Sequence, residues 1–373
     1  MISCQQSTRL ELYFPPYLHT YFCISASHPT SDLDASHRHW PSTNLHNRPP
    51  HGLHTASNHK NRLRRTKPQT MADLSGQVIL ITGGTSGLGA ASAVALARLS
   101  PARIYISGRR PAAADTVIAA IAALPGPTPQ VTFLPCDLAS LASVRAAADT
   151  LLAAEPRGLD ILMANAGVAG VPPALTRDGY EIHFGTNHVG HALLIRKLLP
   201  LLRQRAGRVV SVTSSGYRAA MWGIPFDKVK AASGQAAAAG GSDWLGLWRW
   251  ARYSESKLAN IVYARELARR FPEVTAVSVS PGFVDTGMVA GMRLCDRVVT
   301  RLLAWSAGSG FVKAEDGARN QIWAATALKG EMENGGMYEP VAVLEKNLPA
   351  PAKDEKLAEK LWEWTEEEIA SYL

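Results

Sequence analysis

The chain holds only four cysteines, Cys4, Cys23, Cys136 and Cys295, and no two stand at the close spacing of a zinc pair or a redox dithiol. That scarcity argues against a disulfide framework and a cysteine metal site, and fits an intracellular, cytoplasmic protein. Long apolar runs are also missing, since no stretch reaches the ~18 residues of a membrane-crossing helix. The start MISCQQSTRLELYFPPYLHTYFC reads as a poor secretory signal, without a basic region ahead of a clean apolar one. The same stretch is poor in acids, as organelle transit peptides are, although Pro15, Pro16 and Pro29 interrupt any amphipathic helix. Organelle targeting therefore stays open. His183, His188 and His191 lie at separations of five, three and eight, without HxxxH or HExxH, so they read as packing or hydrogen-bonding residues and no metal is expected.

What is present divides into two unlike segments. Residues 1–70 hold eight of the eleven histidines and seven of the twenty-three prolines, without helical or strand periodicity. Such a segment buries too little apolar surface to offset the entropy of ordering it, and reads as a disordered extension. It carries eight Lys/Arg against three Asp/Glu, whereas residues 71–373 carry thirty-one against twenty-eight. The basic run Lys60–Lys67 reads as a solvated tail rather than an import or nucleic-acid patch. The nearly neutral remainder gives no reason to expect a nucleic-acid partner.

From Gln77 onward, short apolar runs alternate with helical patterns. The strand-like runs are Val78–Thr82, Arg103–Ser107, Val131–Leu134, Asp160–Ala164, Arg208–Thr213 and Val274–Ser280. Helical lengths fall at Ala90–Leu99, Ala112–Leu124, Leu141–Ala154, Gly179–Leu202, Ser254–Arg270 and Lys353–Ile369. This alternation predicts an α/β fold: one Rossmann-type domain over residues 71–373, with a doubly wound parallel sheet covered by helices on both faces. Its ligand crevice is expected at the carboxyl ends of the strands. The alanine-rich stretch Ala231–Gly241 reads as a flexible loop, with a short helix as the alternative.

Three local patterns carry chemistry. The first strand runs into Thr82-Gly83-Gly84-Thr85-Ser86-Gly87-Leu88-Gly89 and then a helix, an order suited to bringing backbone amides close to a pyrophosphate. The second strand ends in Gly108-Arg109-Arg110, with cations where an NAD enzyme places a carboxylate. A guanidinium pairs well with a 2′-phosphate, so NADP(H) is the expected cofactor, with Arg109 as its ligand. Tyr253 and Lys257 stand one helical turn apart on one face, placing an ammonium beside a phenol. Such a charge, with that of the oxidised cofactor, is expected to favour phenolate and make Tyr253 a usable general acid/base.

In their TGxxxGxG spacing these residues resemble the short-chain dehydrogenase/reductase superfamily, and the resemblance recurs in order along residues 76–340. It implies cofactor contacts for Gly83, Thr85, Ser86, Gly87, Leu88 and Gly89, and for Asp137 and Leu138 after the third strand. It extends them to Asn165-Ala166-Gly167 after the fourth strand, and to Pro281, Gly282, Val284 and Thr286 after the sixth. VVSVTSS resembles the family's RIVNVSS, which makes Ser214 the substrate-binding serine, with Ser215 one register away. FGTNHVGH resembles the helix whose asparagine, here Asn187, holds a water beside the lysine. Asn187, Ser214, Tyr253 and Lys257 then form a complete catalytic tetrad, with Tyr253 and Lys257 also at the cofactor. NHVGH, YSESKLAN and LAEKLWEWTEEE look most like the retinol-dehydrogenase-like and protochlorophyllide-reductase-like branch, and like fungal secondary-metabolism reductases.

The resemblance implies hydride transfer between NADP(H) and a small-molecule carbonyl or alcohol. The other class of function is a non-catalytic NADP(H)-binding sensor, which an intact tetrad argues against. Thirty-nine positions separate Ser214 from Tyr253, far more than in compact members. The insert carries Met221, Trp222, Ile224, Pro225, Phe226, Trp244, Leu247, Trp248 and Trp250, and Val284–Phe311 falls where the family has its substrate lid. The aromatics are read either as walling a pocket for a bulky apolar substrate or as packing the insert onto the body. Membrane-surface association through them is a weaker reading. A homodimer through the helices Gly179–Leu202 and Ser254–Arg270 is compatible with the resemblance. The C-terminal helix, with Leu357, Leu361, Trp362 and Trp364 for packing, reads as structural.

Met71 is followed at once by ADLSGQVILITGG, a natural opening for the domain, so residues 1–70 are expected to be upstream sequence rather than working protein. Intact-mass measurement on protein from its native source should find a chain beginning near Met71. A mass that includes Met1 would overturn this.

Overall fold

A computed structural model describes residues 72–230, 247–285, 310–328 and 330–373. The expectations for residues 1–70, for Ala231–Gly241 and for Thr286 lie outside the described residues, as does most of Val284–Phe311. Eight strands form one sheet in the order β3-β2-β1-β4-β5-β6-β7-β8. They are β1 (Val78–Thr82), β2 (Arg103–Gly108), β3 (Gln130–Pro135), β4 (Ile161–Ala164), β5 (Arg208–Val212), β6 (Thr275–Val279), β7 (Met337–Glu339) and β8 (Val343–Leu344). The first seven pair in parallel, and β8 returns antiparallel on β7. The six expected strands are all present within a residue or two, and the pair β7–β8 is additional.

Alternate residues of each strand go to opposite layers, as a pleat requires. Ile79 and Ile81 join Ile104, Ile106, Val210 and Val277 beneath α1 (Gly87–Ala97), α2 (Pro111–Ala122) and α6 (Arg319–Thr326). Leu80, Leu162, Val209 and Ala276 face α3 (Leu141–Ala154), α4 (Gly190–Gln204), α5 (Leu247–Arg270) and α7 (Glu355–Ile369). Burial on both faces explains why β1 and β4 read as unbroken apolar runs. Strand order reverses between β1 and β4, opening a crevice at their carboxyl ends.

Two helices differ from expectation in ways that matter for the site. The pattern Gly179–Leu202 is not one helix: a short turn at Ile182–Phe184 is followed by a π-helical turn, Gly185–Val189, and only then by α4. Close packing at two glycines accompanies the change. A Cβ at Gly185 would lie 2.4 Å from Thr176 Cγ2, and one at Gly190 would lie 2.5 Å from the Leu138 carbonyl oxygen. The helix expected from Ser254 begins at Leu247, so Tyr253 lies inside α5 instead of opening it. The stretch Leu247–Arg252 contains neither Gly nor Pro, and Arg252 pairs with Glu255 one turn on at 2.7 Å.

The last helix lies across α4 and α5. Asp354 caps α7 by accepting from Lys356 N and Leu357 N, while Leu361 and Ile369 are fully buried. Trp362 stacks on Tyr263 with ring centroids 5.0 Å apart and planes inclined by 15°, and the guanidiniums of Arg196 and Arg270 lie over its ring. Glu366 takes both Nε and Nη2 of Arg196, at 2.7 and 2.8 Å. Trp362→Ala should cost ~3–5 kcal/mol of stability by the cavity it leaves. Glu363→Ala, on the exposed side of the same helix, should stay within ~0.5 kcal/mol. Urea midpoints at unchanged m-value check both.

Candidate functional site

The turn after β1 is shaped by close approach. Gly83 has φ +63°, and a Cβ at Gly89 would lie 2.3 Å from the Gly83 carbonyl oxygen, so the helix start presses against the turn. Ser86 precedes α1 without a side-chain cap, and the first turn of α1 carries no acid. Its orphan amides and dipole therefore suit an anion. Thr85 sits against the end of β2, where a Cβ at Gly108 would lie 2.9 Å from its Oγ1. Beside it Arg109 and Arg110 are exposed and form no ion pair among the described residues. These features fit a diphosphate at the turn and a further phosphate at Arg109.

The ends of β3 and β4 hold the next residues. Asp137 accepts from Ala139 N through Oδ1 (3.1 Å), and its own N–H donates to Ser143 Oγ (3.0 Å), fixing the loop that carries Leu138. Asn165 Nδ2 donates to the Thr82 carbonyl (2.8 Å), and its Oδ1 accepts from Gln321 Nε2 (3.0 Å). The N–H groups of Asn165 and Ala166 donate to Thr82 Oγ1 (2.9 and 3.0 Å). Gly167 lies between two site residues: a Cβ there would stand 3.1 Å from Asn187 Oδ1 and 3.4 Å from Lys257 Nζ.

The four expected catalytic side chains meet at the carboxyl end of β5. Ser214 begins a tight turn and accepts from Gly216 N (3.2 Å). Gly216 lies between Tyr253 and Ser214: a Cβ there would stand 3.3 Å from Tyr253 Cε1 and 3.5 Å from Ser214 Oγ. The Ser214 hydroxyl lies near enough to the Tyr253 phenol to favour its anion. Lys257 Nζ donates to the Val212 carbonyl (2.9 Å) and lies 5.8 Å from the Tyr253 ring centre. Asn187 spends its side chain on the backbone: Oδ1 accepts from Val168 N (2.8 Å), and Nδ2 donates to the Val168 carbonyl (3.0 Å) and to Ser256 Oγ (2.9 Å).

Electrostatics here is governed by burial. Lys257 is 3% exposed, and desolvation pulls its ammonium down to about 8. Burial pushes the Tyr253 phenol up, offset in part by the Ser214 hydroxyl. The Lys257 ammonium is directed at the Val212 carbonyl. The three histidines are also engaged. His188 lies between the Phe184 and Tyr263 rings with Nε2 against Thr365 Oγ1, and burial lowers it to about 3. His191 contacts Thr82 Oγ1 and the Asn187 carbonyl, and burial lowers it to about 4. His183 Nδ1 meets Glu181 Oε1 at 2.7 Å.

A cavity of about 800 Å³ opens next to Ser215, Pro281 and Gly282. Its described wall differs from expectation. The insert contributes Ser215 and Arg218, while much of the remainder is the segment Glu339–Asn347. Of the insert's aromatics, Trp222 is 90% exposed, Phe226 packs on Trp364 of α7, and Trp250 lies edge-on to Tyr253 at 5.9 Å. Val284 is buried and bridges Val312, and Phe283 and Phe311 lie in edge contact. Sequence reasoning assigned no role to Thr82 or Glu339, and gave His191 no partner. A threonine closing the first strand five residues before its helix was the available signal for Thr82.

A family model for short chain dehydrogenases matches residues 77–232. Retinol dehydrogenase 14 of Homo sapiens is 36% identical over 308 residues, covering 78% of this chain and 85% of that protein. Short-chain dehydrogenase/reductase drtF of Aspergillus calidoustus is 33% identical over 321 residues, covering 81% of this chain and 96% of its own. Among solved structures, a short chain dehydrogenase from Burkholderia cenocepacia J2315 in complex with NADP is similar, with TM-score 0.55 and 27% identity. That similarity covers 73% of this chain and 98% of the other.

The depressed Lys257 fixes a pH dependence. Below about 8 the lysine is protonated both folded and unfolded, and the folded protein carries a costly buried charge. Between about 8 and 10.5 the unfolded chain holds the proton and the folded one does not, so stability rises with pH. Lys257→Met removes that term. The stability of the variant minus that of the wild type should therefore fall by up to ~3 kcal/mol as pH climbs through this window. Denaturant titrations at pH 7 to 10 measure it, and a flat difference would contradict the burial of a charged lysine.

Proposed function

The chain belongs to the short-chain dehydrogenase/reductase family, and from that premise we propose that it interconverts a carbonyl and an alcohol on a bulky substrate through Tyr253. It is an NADP(H)-dependent oxidoreductase of the retinol-dehydrogenase-like branch. The observation that carries the catalytic reading is the meeting of Ser214, Tyr253, Lys257 and Asn187 at the carboxyl end of β5, across the crevice from the glycine turn.

When bound, NADP(H) supplies or takes up the hydride. The turn Gly83–Gly89 would hold its diphosphate, Arg109 its 2′-phosphate, and Asp137 and Leu138 its adenosine end. Asn165, Ala166, Gly167, Pro281, Gly282, Val284 and Thr286 would line the remaining length, with Lys257 and Tyr253 at the ribose nearest the reacting ring. Ser214 Oγ donates to the substrate oxygen and holds it beside Tyr253. The Tyr253 hydroxyl gives its proton to that oxygen in reduction and recovers it in oxidation. Lys257, near its midpoint at neutral to mildly alkaline pH, supplies positive charge when the phenolate forms and can replace the lost proton. Asn187 keeps its carbonyl side close to Lys257 by locking onto Val168.

Residues 71–373 are the working domain in this reading, acting in the cytoplasm. No helix among the described residues is long and apolar enough to cross a membrane. A homodimer through α4 and α5 would have to displace α7, which covers them. NADPH consumption by the full chain should be measured against a panel of bulky carbonyls, with NADH as competitor. Tyr253→Phe should lower kcat/KM by ~10²–10⁴-fold while NADPH binding persists. Normal turnover in that variant would refute the assignment. Tight NADPH binding without turnover would favour a sensor, and better use of NADH would refute the role of Arg109.

A further inference from the structure

The cavity beside Ser215 and Gly282 has both apolar and polar lining. Phe283, Val312 and Leu344 contribute apolar surface, with Phe311 packed behind Phe283 and Trp250 against Tyr253. Its polar lining includes Glu339, the last residue of β7 and half-buried, together with Arg218, Asp316, Arg319 and Lys346. Desolvation raises the Glu339 carboxyl above the ordinary carboxylate range. The buried Ser280 hydroxyl and Arg218 beside it oppose that rise. The nearby Arg218 is committed elsewhere: Nη2 donates to Glu345 Oε2 at 2.7 Å and Nη1 to the Asn347 carbonyl at 3.3 Å. No cation forms an ion pair with Glu339 among the described residues. A carboxyl in a cavity wall, without an ion pair among the described residues, retains acceptor capacity for whatever fills the cavity.

We propose that Glu339 determines substrate specificity by accepting a hydrogen bond from a hydroxyl that an aromatic or polycyclic carbonyl substrate bears away from its reacting oxygen. The proposal rests on the oxidoreductase reading for the location of the reacting oxygen. It narrows the substrate from a bulky apolar carbonyl to an amphipathic one, with an aromatic body and a hydroxyl donor. A simple hydrocarbon ketone would leave the Glu339 acceptor unmet, and discrimination by an unmet buried polar group is large.

The test uses 2-acetonaphthone and its ring-hydroxylated derivatives, added to the full-length protein with NADP⁺ present. Equilibrium binding is read by tryptophan fluorescence quenching, and NADPH consumption is followed separately. Wild-type protein should bind at least one hydroxylated derivative about 10–100-fold more tightly than the parent, the range for a hydrogen bond to a charged group. In Glu339→Leu the two dissociation constants should converge to within about threefold, and in Glu339→Gln, which keeps a carbonyl acceptor, part of the preference should survive. Thermal melting checks that each variant is folded, and the Gln variant retains the shape of the wall if the Leu variant does not fold. Equal affinity across the series in wild type, or a preference undiminished in both variants, would overturn the proposal. Failure of the oxidoreductase reading would appear instead as absent Tyr253-dependent NADPH consumption, with the binding preference still measurable.

Discussion

At the end of β1, one hydroxyl joins the three parts of the molecule that form the crevice. Thr82 Oγ1 receives the N–H groups of Asn165 and Ala166 from the end of β4, and lies 2.8 Å from His191 Nε2. The imidazole tautomer follows from its other contact. His191 Nδ1 faces the Asn187 carbonyl at 2.9 Å, and a carbonyl can only accept, so Nδ1 carries the proton and Nε2 is the acceptor. Thr82 then donates to Nε2 and uses its lone pairs for the two amides. Each member has a partner, as a buried polar network requires. Burial lowers His191 to about 4, so the ring stays neutral and the arrangement does not change across ordinary pH. The distance between the glycine turn and the π-helical turn bearing Asn187 is set by this chain of bonds.

That rigidity is what allows a charged lysine to be buried at the centre. An ammonium removed from water is tolerated only where fixed dipoles replace its solvent. Lys257 has the Val212 carbonyl at 2.9 Å, with Asn187 close by at Gly167. Asn187 cannot swing away, because its amide is bonded to both the N–H and the carbonyl of Val168 and to Ser256. The remaining penalty appears as the fall of Lys257 to about 8, and it leaves this lysine able to exchange a proton near neutral pH. The phenol beside it is driven the other way by the same burial and keeps its proton until something in the site stabilises the anion.

The central sheet was legible because burial on both faces forces continuous apolar runs, and the site was legible because its residues close those runs. Asn165, Ser214 and Gly282 all follow the ends of strands that a simple hydropathy reading locates. What escaped lacks periodicity. β7 and β8 span three and two residues, too short for alternation to register, and they exist because β6 and β7 share a parallel edge. The π-helical turn is invisible to a 3.6-residue pattern, since its extra residue is accommodated by Gly185 against Thr176 and Gly190 against Leu138. The early start of α5 was hidden by tryptophans that also suit a loop.

The segment least legible in sequence is also the one that shapes the cavity, and it is held firmly. Asn320 of α6 donates through Nδ2 to the carbonyls of Ser280 and Tyr338, at 2.8 and 2.9 Å, and accepts through Oδ1 from Ala342 N at 3.0 Å. One buried side chain thus ties the residue after β6 to the middle of β7 and to the turn that follows. Trp323, three residues on, packs against Tyr338 with ring centroids 4.7 Å apart. Glu339 follows Tyr338 directly, so its backbone is set from both sides of the strand instead of by a loop. A polar group positioned this way loses little conformational freedom when it meets a ligand, which is the condition for it to discriminate between ligands rather than merely tolerate them.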